Sequence, residues 1–222
     1  MQQTTRSGLP VQASQWRLVP VTTGLIACSM LGFLLVMYVS LPALVAWFTF
    51  VPFRISGNEL QYGELGLQYW RLVTPVFLHF GWLHIVFNSL WLWDLGSRLE
   101  LLLGRWNLLL LVIVMAVVSN VSQFLATGPS LFGGMSGVVF GLLGFSWVAP
   151  LLQPAWRIQP PPMVMALMVG WLLICLFGVI EVLGFGAIAN GAHVGGLLSG
   201  AVLGAAFGFV SRLGGPGRPT AL

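Results

Sequence analysis

The chain has 222 residues, of which 58% are hydrophobic and 6% charged, and its net charge of +4 comes from nine arginines and no lysine. A soluble domain carries about 25% charged residues, so this chain lacks the groups to solvate a complete surface and much of its solvent must be lipid. Its scattered arginines form no basic run to neutralise a phosphate backbone, which argues against a nucleic-acid partner, and Cys28 and Cys175 lie in separate apolar stretches, as buried thiols rather than a disulfide framework.

A helix needs ~20 mostly apolar residues to cross the bilayer core. Six stretches qualify, at about 19–41, 82–103, 106–126, 134–152, 163–183 and 187–210. They predict an all-α polytopic membrane protein, a six-helix bundle over 19–211 between a short N-terminal segment (1–18) and a C-terminal tail (212–222). The first stretch contains "LIAC" at Leu25–Cys28, which matches a lipoprotein cleavage pattern. The apolar run continues well past Cys28, so it reads as a full span and not as a cleaved leader. The piece at about 42–81 carries Pro42, Pro52, Pro75, Arg54, Glu59, Glu64, Arg71, Trp47 and Trp70. That mixture predicts a partly helical first loop lying in the membrane interface, where aromatic rings are favoured.

Arginine placement gives the orientation. With the N-terminus inside, the inner segments hold Arg6, Arg17, Arg98, Arg105, Arg157, Arg212 and Arg218, and the outer ones hold Arg54 and Arg71. Seven against two predicts both termini in the cytoplasm. Spans two, four and six then all begin at the outer face. "HFGWLHIVFN" brings His79, His84 and Asn88 to that level, "GGMSG" brings Ser136, and "ANGAHVGG" brings Asn190 and His193. Polar groups at membrane depth are costly and usually face a bundle interior or a wet cavity, so their convergence marks a candidate site. Gly133, Gly137 and Gly141 in span four match Gly196, Gly200 and Gly204 in span six. Such small-residue stripes let two helix backbones press together, with His193 one turn above the second stripe.

Serine in a membrane helix ordinarily bonds back to its own backbone, and a lone histidine can serve as a helix–helix hydrogen bond. Together at one depth they suggest more. Ser136 is a candidate nucleophile and His193 the base that would take its proton. None of Glu59, Glu64, Asp94, Glu100 and Glu181 falls in the outer half of spans two, four or six, which leaves a dyad without a third acid. Ser136 opens span four, where unpaired backbone N–H groups offer an oxyanion site. His84 and Asn88, four apart, project from one face of span two toward the same place. Gly133 and Gly134 allow a tight approach of chain and substrate, and Gly137 follows the serine. The three histidines could instead hold a metal, but no carboxylate or cysteine stands near as a fourth ligand, so neither metal nor cofactor is expected.

The motifs "HFGWLHIVFN", "GGMSGVVFG" and "ANGAHVGG", in this order, resemble the signatures of the rhomboid intramembrane serine proteases. The resemblance runs from about Trp70 to Phe207. It implies Ser136 as nucleophile and His193 as base, with an oxyanion site from the Ser136 N–H, His84 and Asn88. It further implies a first-loop motif at Trp70–Arg71 and a structural acid at Glu100. A family tyrosine four residues after the nucleophile, packed on the histidine, is Phe140 here. Only about 18 residues precede the first span, too few for a cytoplasmic domain of ~50 or more. The implied substrates are single-span membrane proteins, cut within the bilayer of a bacterial inner membrane near its outer face, after sideways access between the second and fifth helices. A proteolytically inactive relative that binds membrane helices is the alternative, and the presence of both Ser136 and His193 argues against it. A transporter is disfavoured by the missing internal repeat.

Overall fold

The computed structural model describes residues 16–39, 41–183 and 187–213. Most of the expected 1–18 segment, with Arg6, and most of the 212–222 tail, with Arg218, lie outside the described residues. Helix occupies each of the six apolar stretches: α1 (Pro20–Tyr38), α3 (Trp82–Trp91) running through a π turn (Leu92–Gly96) into α4 (Ser97–Leu103), α5 (Arg105–Thr127), α6 (Ser136–Leu152), α7 (Pro162–Leu176) and α9 (Asn190–Leu213). Among the described residues α1, α5 and α9 are long and apolar enough, each as one helix, to cross a membrane, and α6 and α7 are shorter apolar helices. The fifth stretch departs from expectation. Gly178 takes a left-handed φ of +70°, which ends α7 early, and a single turn α8 (Val179–Val182) follows.

The first loop holds more structure than its proline content suggests. After α2 (Pro42–Phe48) comes a two-stranded antiparallel hairpin, β1 (Phe53–Ser56) with β2 (Glu59–Tyr62), pairing Phe53 with Tyr62 and Ser56 with Glu59. Two 3-10 turns lead on to α3. The last carbonyls of a helix lack intrahelical donors, and here the 3-10 segment supplies them. Arg71 Nη1 donates to the carbonyls of Ala46 (2.6 Å) and Thr49 (2.7 Å), Trp70 Nε1 to that of Trp47 (3.1 Å), and Thr74 Oγ1 to that of Phe48 (2.8 Å). A buried guanidinium also suits the negative end of a helix dipole. Trp70 and Arg71 thus clamp the end of α2, and the Trp47 and Trp70 rings lie 5.0 Å apart.

Helix α6 runs through the middle of the bundle and is buried from Gly137 to Ser146. Lipid tails are as apolar as leucine, so close packing and not water exclusion must hold it there. A Cβ on Gly196 or Gly200 of α9 would overlap the carbonyl of Gly137 or Gly141 of α6, and one on Gly204 would come within 2.8 Å of the Phe145 carbonyl. The two helices meet backbone to backbone along their glycines, with Gly196, Gly200 and Gly204 set against Gly137, Gly141 and Phe145, while Gly133 lies ahead of α6 against the Leu78 and Pro75 carbonyls. On the other side of α6, Gly141 faces Met115 of α5.

At the other end of the bundle, Glu100 of α4 is buried and caps α1. Its carboxylate accepts from Val21 N, Thr22 N and Thr22 Oγ1, each at 2.8 Å. The two backbone N–H groups are orphan donors of a helix start, where a negative charge is favoured. Glu100→Ala leaves them buried and unpaired. We expect it to lower stability by about 2–4 kcal/mol, from lost charge-assisted bonds and unsatisfied donors. An unchanged midpoint on thermal unfolding in detergent would contradict this account of Glu100.

Candidate active site

The approach to α6 is set by glycine and histidine. Gly134 has φ +110°, a region that L side chains rarely adopt, and a Cβ there would overlap the imidazole of His84. Its N–H donates to the Pro75 carbonyl at 3.0 Å. His79, fully buried, fixes the next residue. Its Nδ1–H donates to the Phe77 carbonyl at 3.0 Å, because a carbonyl can only accept. That leaves Nε2 to accept the N–H of Met135 at 3.4 Å. The imidazole is therefore neutral, and burial, aided by neighbouring His84, pushes its pKa down to about 4. His79 is a structural pin of the serine turn, with both ring nitrogens spent on the protein.

Ser136 is the first residue of α6, and the first intrahelical bond runs from Val139 N to the Met135 carbonyl. The N–H groups of Ser136, Gly137 and Val138 precede that bond and point out of the helix start. His193, on the first turn of α9, is buried, and its Nε2 lies 2.8 Å from Ser136 Oγ. The Phe140 ring packs on the imidazole at 4.9 Å with an interplanar angle of 46°. Close approach of α6 and α9 makes this pairing: a Cβ on Gly137 would lie 3.1 Å from the Ala192 carbonyl and 2.7 Å from Ser119 of α5. Among the described residues His193 Nδ1 is buried without a hydrogen-bond partner.

From α3, the His84 ring sits 4.9 Å from that of His79 and against Gly134. Asn88 is buried one turn further on, and its Nδ2 donates to the His84 carbonyl at 2.9 Å, which leaves one N–H of the amide for another acceptor. Asn190, at the start of α9, donates from Nδ2 to the Cys175 carbonyl of α7 at 3.0 Å. The structure thus gathers Ser136, His193, Phe140, Gly134, Gly137, His84 and His79 in one place, with Asn88 and Asn190 one turn away. Trp70 and Arg71 belong to the first loop. Sequence reasoning passed over Gln123 of α5. Its Oε1 accepts from Ala192 N at 3.2 Å and holds the histidine-bearing turn of α9. A glutamine within a span is the signal that could have drawn attention to it.

The chain is similar to known proteins over most of its length. The family model described as the Rhomboid domain matches residues 66–209. The chain is 39% identical over 184 residues to proteins named Rhomboid protease GlpG from Yersinia pseudotuberculosis and Yersinia pestis, and 38% identical to one from Serratia proteamaculans. Each alignment covers 83% of this chain and 61% of the relative, so the chain spans about three fifths of the length of the curated relatives it matches. The matched segment takes in Trp70–Arg71, the His84–Asn88 pair, Ser136 and His193, and by this match the chain belongs to the rhomboid family, as an integral membrane protein.

Proposed function

We propose that this chain is an intramembrane serine endopeptidase in which Ser136 attacks a peptide carbonyl and His193 serves as base and then acid. The observation that carries the proposal is the 2.8 Å contact between His193 Nε2 and Ser136 Oγ, within hydrogen-bond reach for proton removal. Ser136 gives its proton to Nε2 as Oγ bonds to the carbonyl carbon. The resulting oxyanion takes hydrogen bonds from the outward N–H groups at the start of α6, with His84 and Asn88 facing it from α3. Protonated His193 then hands its proton to the leaving amine, and the amine departs from an acyl-Ser136. Water, deprotonated by the same imidazole, hydrolyses the ester and restores the serine. Phe140 packs on the ring and limits its rotation during both transfers.

The same reading takes six spans with both termini inside, as the seven inner arginines against two outer ones favour. It places the dyad toward the outer face of a bacterial inner membrane. The substrates are single-span membrane proteins. A helical peptide bond is shielded by its own ladder, so the segment to be cut must unwind at the dyad, which helix-weakening residues make easier. Sideways access passes between α3 and α7, where Phe87 and Trp171 stack at 6.4 Å.

The test is cleavage of a single-span reporter by the protein reconstituted in liposomes. The reading requires one cut near the outer end of the reporter helix, and a folded parent that leaves the reporter intact would overturn it. In the same assay Asn88→Ala should slow turnover by about 10²–10³ with little change in KM, as expected for a lost oxyanion donor. An unchanged kcat would make Asn88 purely structural, consistent with its bond to the His84 carbonyl.

A further inference from the structure

Two polar atoms near the dyad have no partner among the described residues although both are buried: His193 Nδ1 and Asn190 Oδ1. An unpaired polar atom in a low-dielectric interior is costly enough to need an explanation. These two lie three residues apart on α9, so their side chains share one face with Cβ atoms about 5–6 Å apart. A helical side chain covers the turn N-terminal to its own Cα, which for His193 is the turn that begins with Asn190. Their chemistry is complementary. Asn190 Nδ2 donates to the Cys175 carbonyl, which fixes the amide's orientation and leaves Oδ1 as an acceptor. His193 Nδ1 carries the proton whenever Nε2 accepts from Ser136, so it is a donor.

We infer that Asn190 is a positioning residue for His193, its Oδ1 receiving the Nδ1–H through one bridging water. The inference rests on the Ser136–His193 dyad proposed above. One water spans the distance between such a donor and acceptor with two ordinary hydrogen bonds. The amide then fills the place that an acid occupies in a triad, holding the tautomer and ring orientation and stabilising the imidazolium during turnover. A neutral acceptor suits an apolar site in which a carboxylate would be costly to bury. The bond to Cys175 makes α7 the anchor of this amide. The position of α7 thereby bears on the base itself.

His84 lies within electrostatic reach of His193, His79 packs on His84, Cys175 of α7 accepts from Asn190 through its carbonyl, and the Glu181 carboxylate of α8 accepts from Ile188 N at 3.2 Å ahead of α9. Helices α5 and α6 carry no charged side chain near it. All of these groups remain in variants at position 190, so a change in pH profile between variants reports on Asn190. The experiment measures kcat/KM against pH for the parent, Asn190→Ala and Asn190→Asp, with fluorophosphonate labelling and thermal unfolding of each.

Asn190→Ala removes an acceptor that favours the imidazolium. Its kcat should fall about tenfold, the worth of one neutral hydrogen bond, and its acid limb should move about half a pH unit lower. Asn190→Asp loses the donor to Cys175 but offers a stronger acceptor, so its acid limb should move to higher pH even if its unfolding temperature drops. A purely structural role, tying α9 to α7, lowers stability in both variants and leaves the acid limb where it is in the parent. Acid limbs that coincide with the parent's in the variants, or in whichever of them folds, overturn the inference while leaving the dyad standing. A folded parent that neither labels nor cleaves removes both.

Discussion

Ser136→Ala and His193→Ala should each reduce reporter cleavage to background while the protein still folds and inserts. The two groups form one proton-transfer unit, so removing either costs about as much as removing both, and a double variant should be no worse than the singles. The loss should exceed about 10³-fold, since among the described residues only His193 is within hydrogen-bond reach of Ser136 Oγ. Both side chains sit at helix starts, and neither substitution leaves a large cavity, so thermal unfolding should change little. A His193→Ala protein that retained even a tenth of the parental rate would mean that another group takes the Ser136 proton. His84 would be the first to examine, because it lies against Gly134 on the far side of the serine.

Gly200→Val should be the most damaging single substitution away from the dyad. A Cβ at Gly200 overlaps the backbone of Gly141, and the obstacle is a carbonyl and a Cα, with no flexible side chain to move aside. Helices α6 and α9 would have to separate along the stripe that also sets the Ser136–His193 distance. We expect a stability loss of about 3–5 kcal/mol, at the upper end for one residue, together with loss of cleavage. Gly170→Ala on α7 is the control. Nothing lies within 4 Å of a Cβ there, so the change should be neutral or add up to about 1 kcal/mol of helix propensity. If thermal unfolding gave the two variants the same midpoint, backbone contact between α6 and α9 would not be what holds the bundle.

Much of this was legible before any coordinates, because a chain so poor in polar residues makes each one conspicuous. Three histidines and one serine in glycine-rich surroundings could be followed to a common depth by span direction alone. The glycine stripes pointed to a close contact of α6 with α9, whose register, Gly196 on Gly137 and Gly200 on Gly141, came only with the fold. Other features depended on the fold. The hairpin at Phe53–Tyr62 forms within a proline-rich loop whose residues alternate only weakly. Trp70 and Arg71 stood out as a motif, yet their task could be read only once the carbonyls of Ala46, Trp47 and Thr49 were seen to accept from them. Gln123 reaches Ala192 across 69 positions, and Glu100 reaches Thr22 across 78, distances over which sequence pattern carries no signal. The early end of α7 hinged on Gly178, which within an apolar run looks like any other small residue of a span.

The most direct test of the account is fluorophosphonate labelling of the detergent-purified protein beside Ser136→Ala, with a soluble serine hydrolase as positive control. The account predicts covalent labelling of the parent at Ser136 and none of the variant. A folded parent that stays unlabelled, or a Ser136→Ala protein that labels as well as the parent, would contradict it.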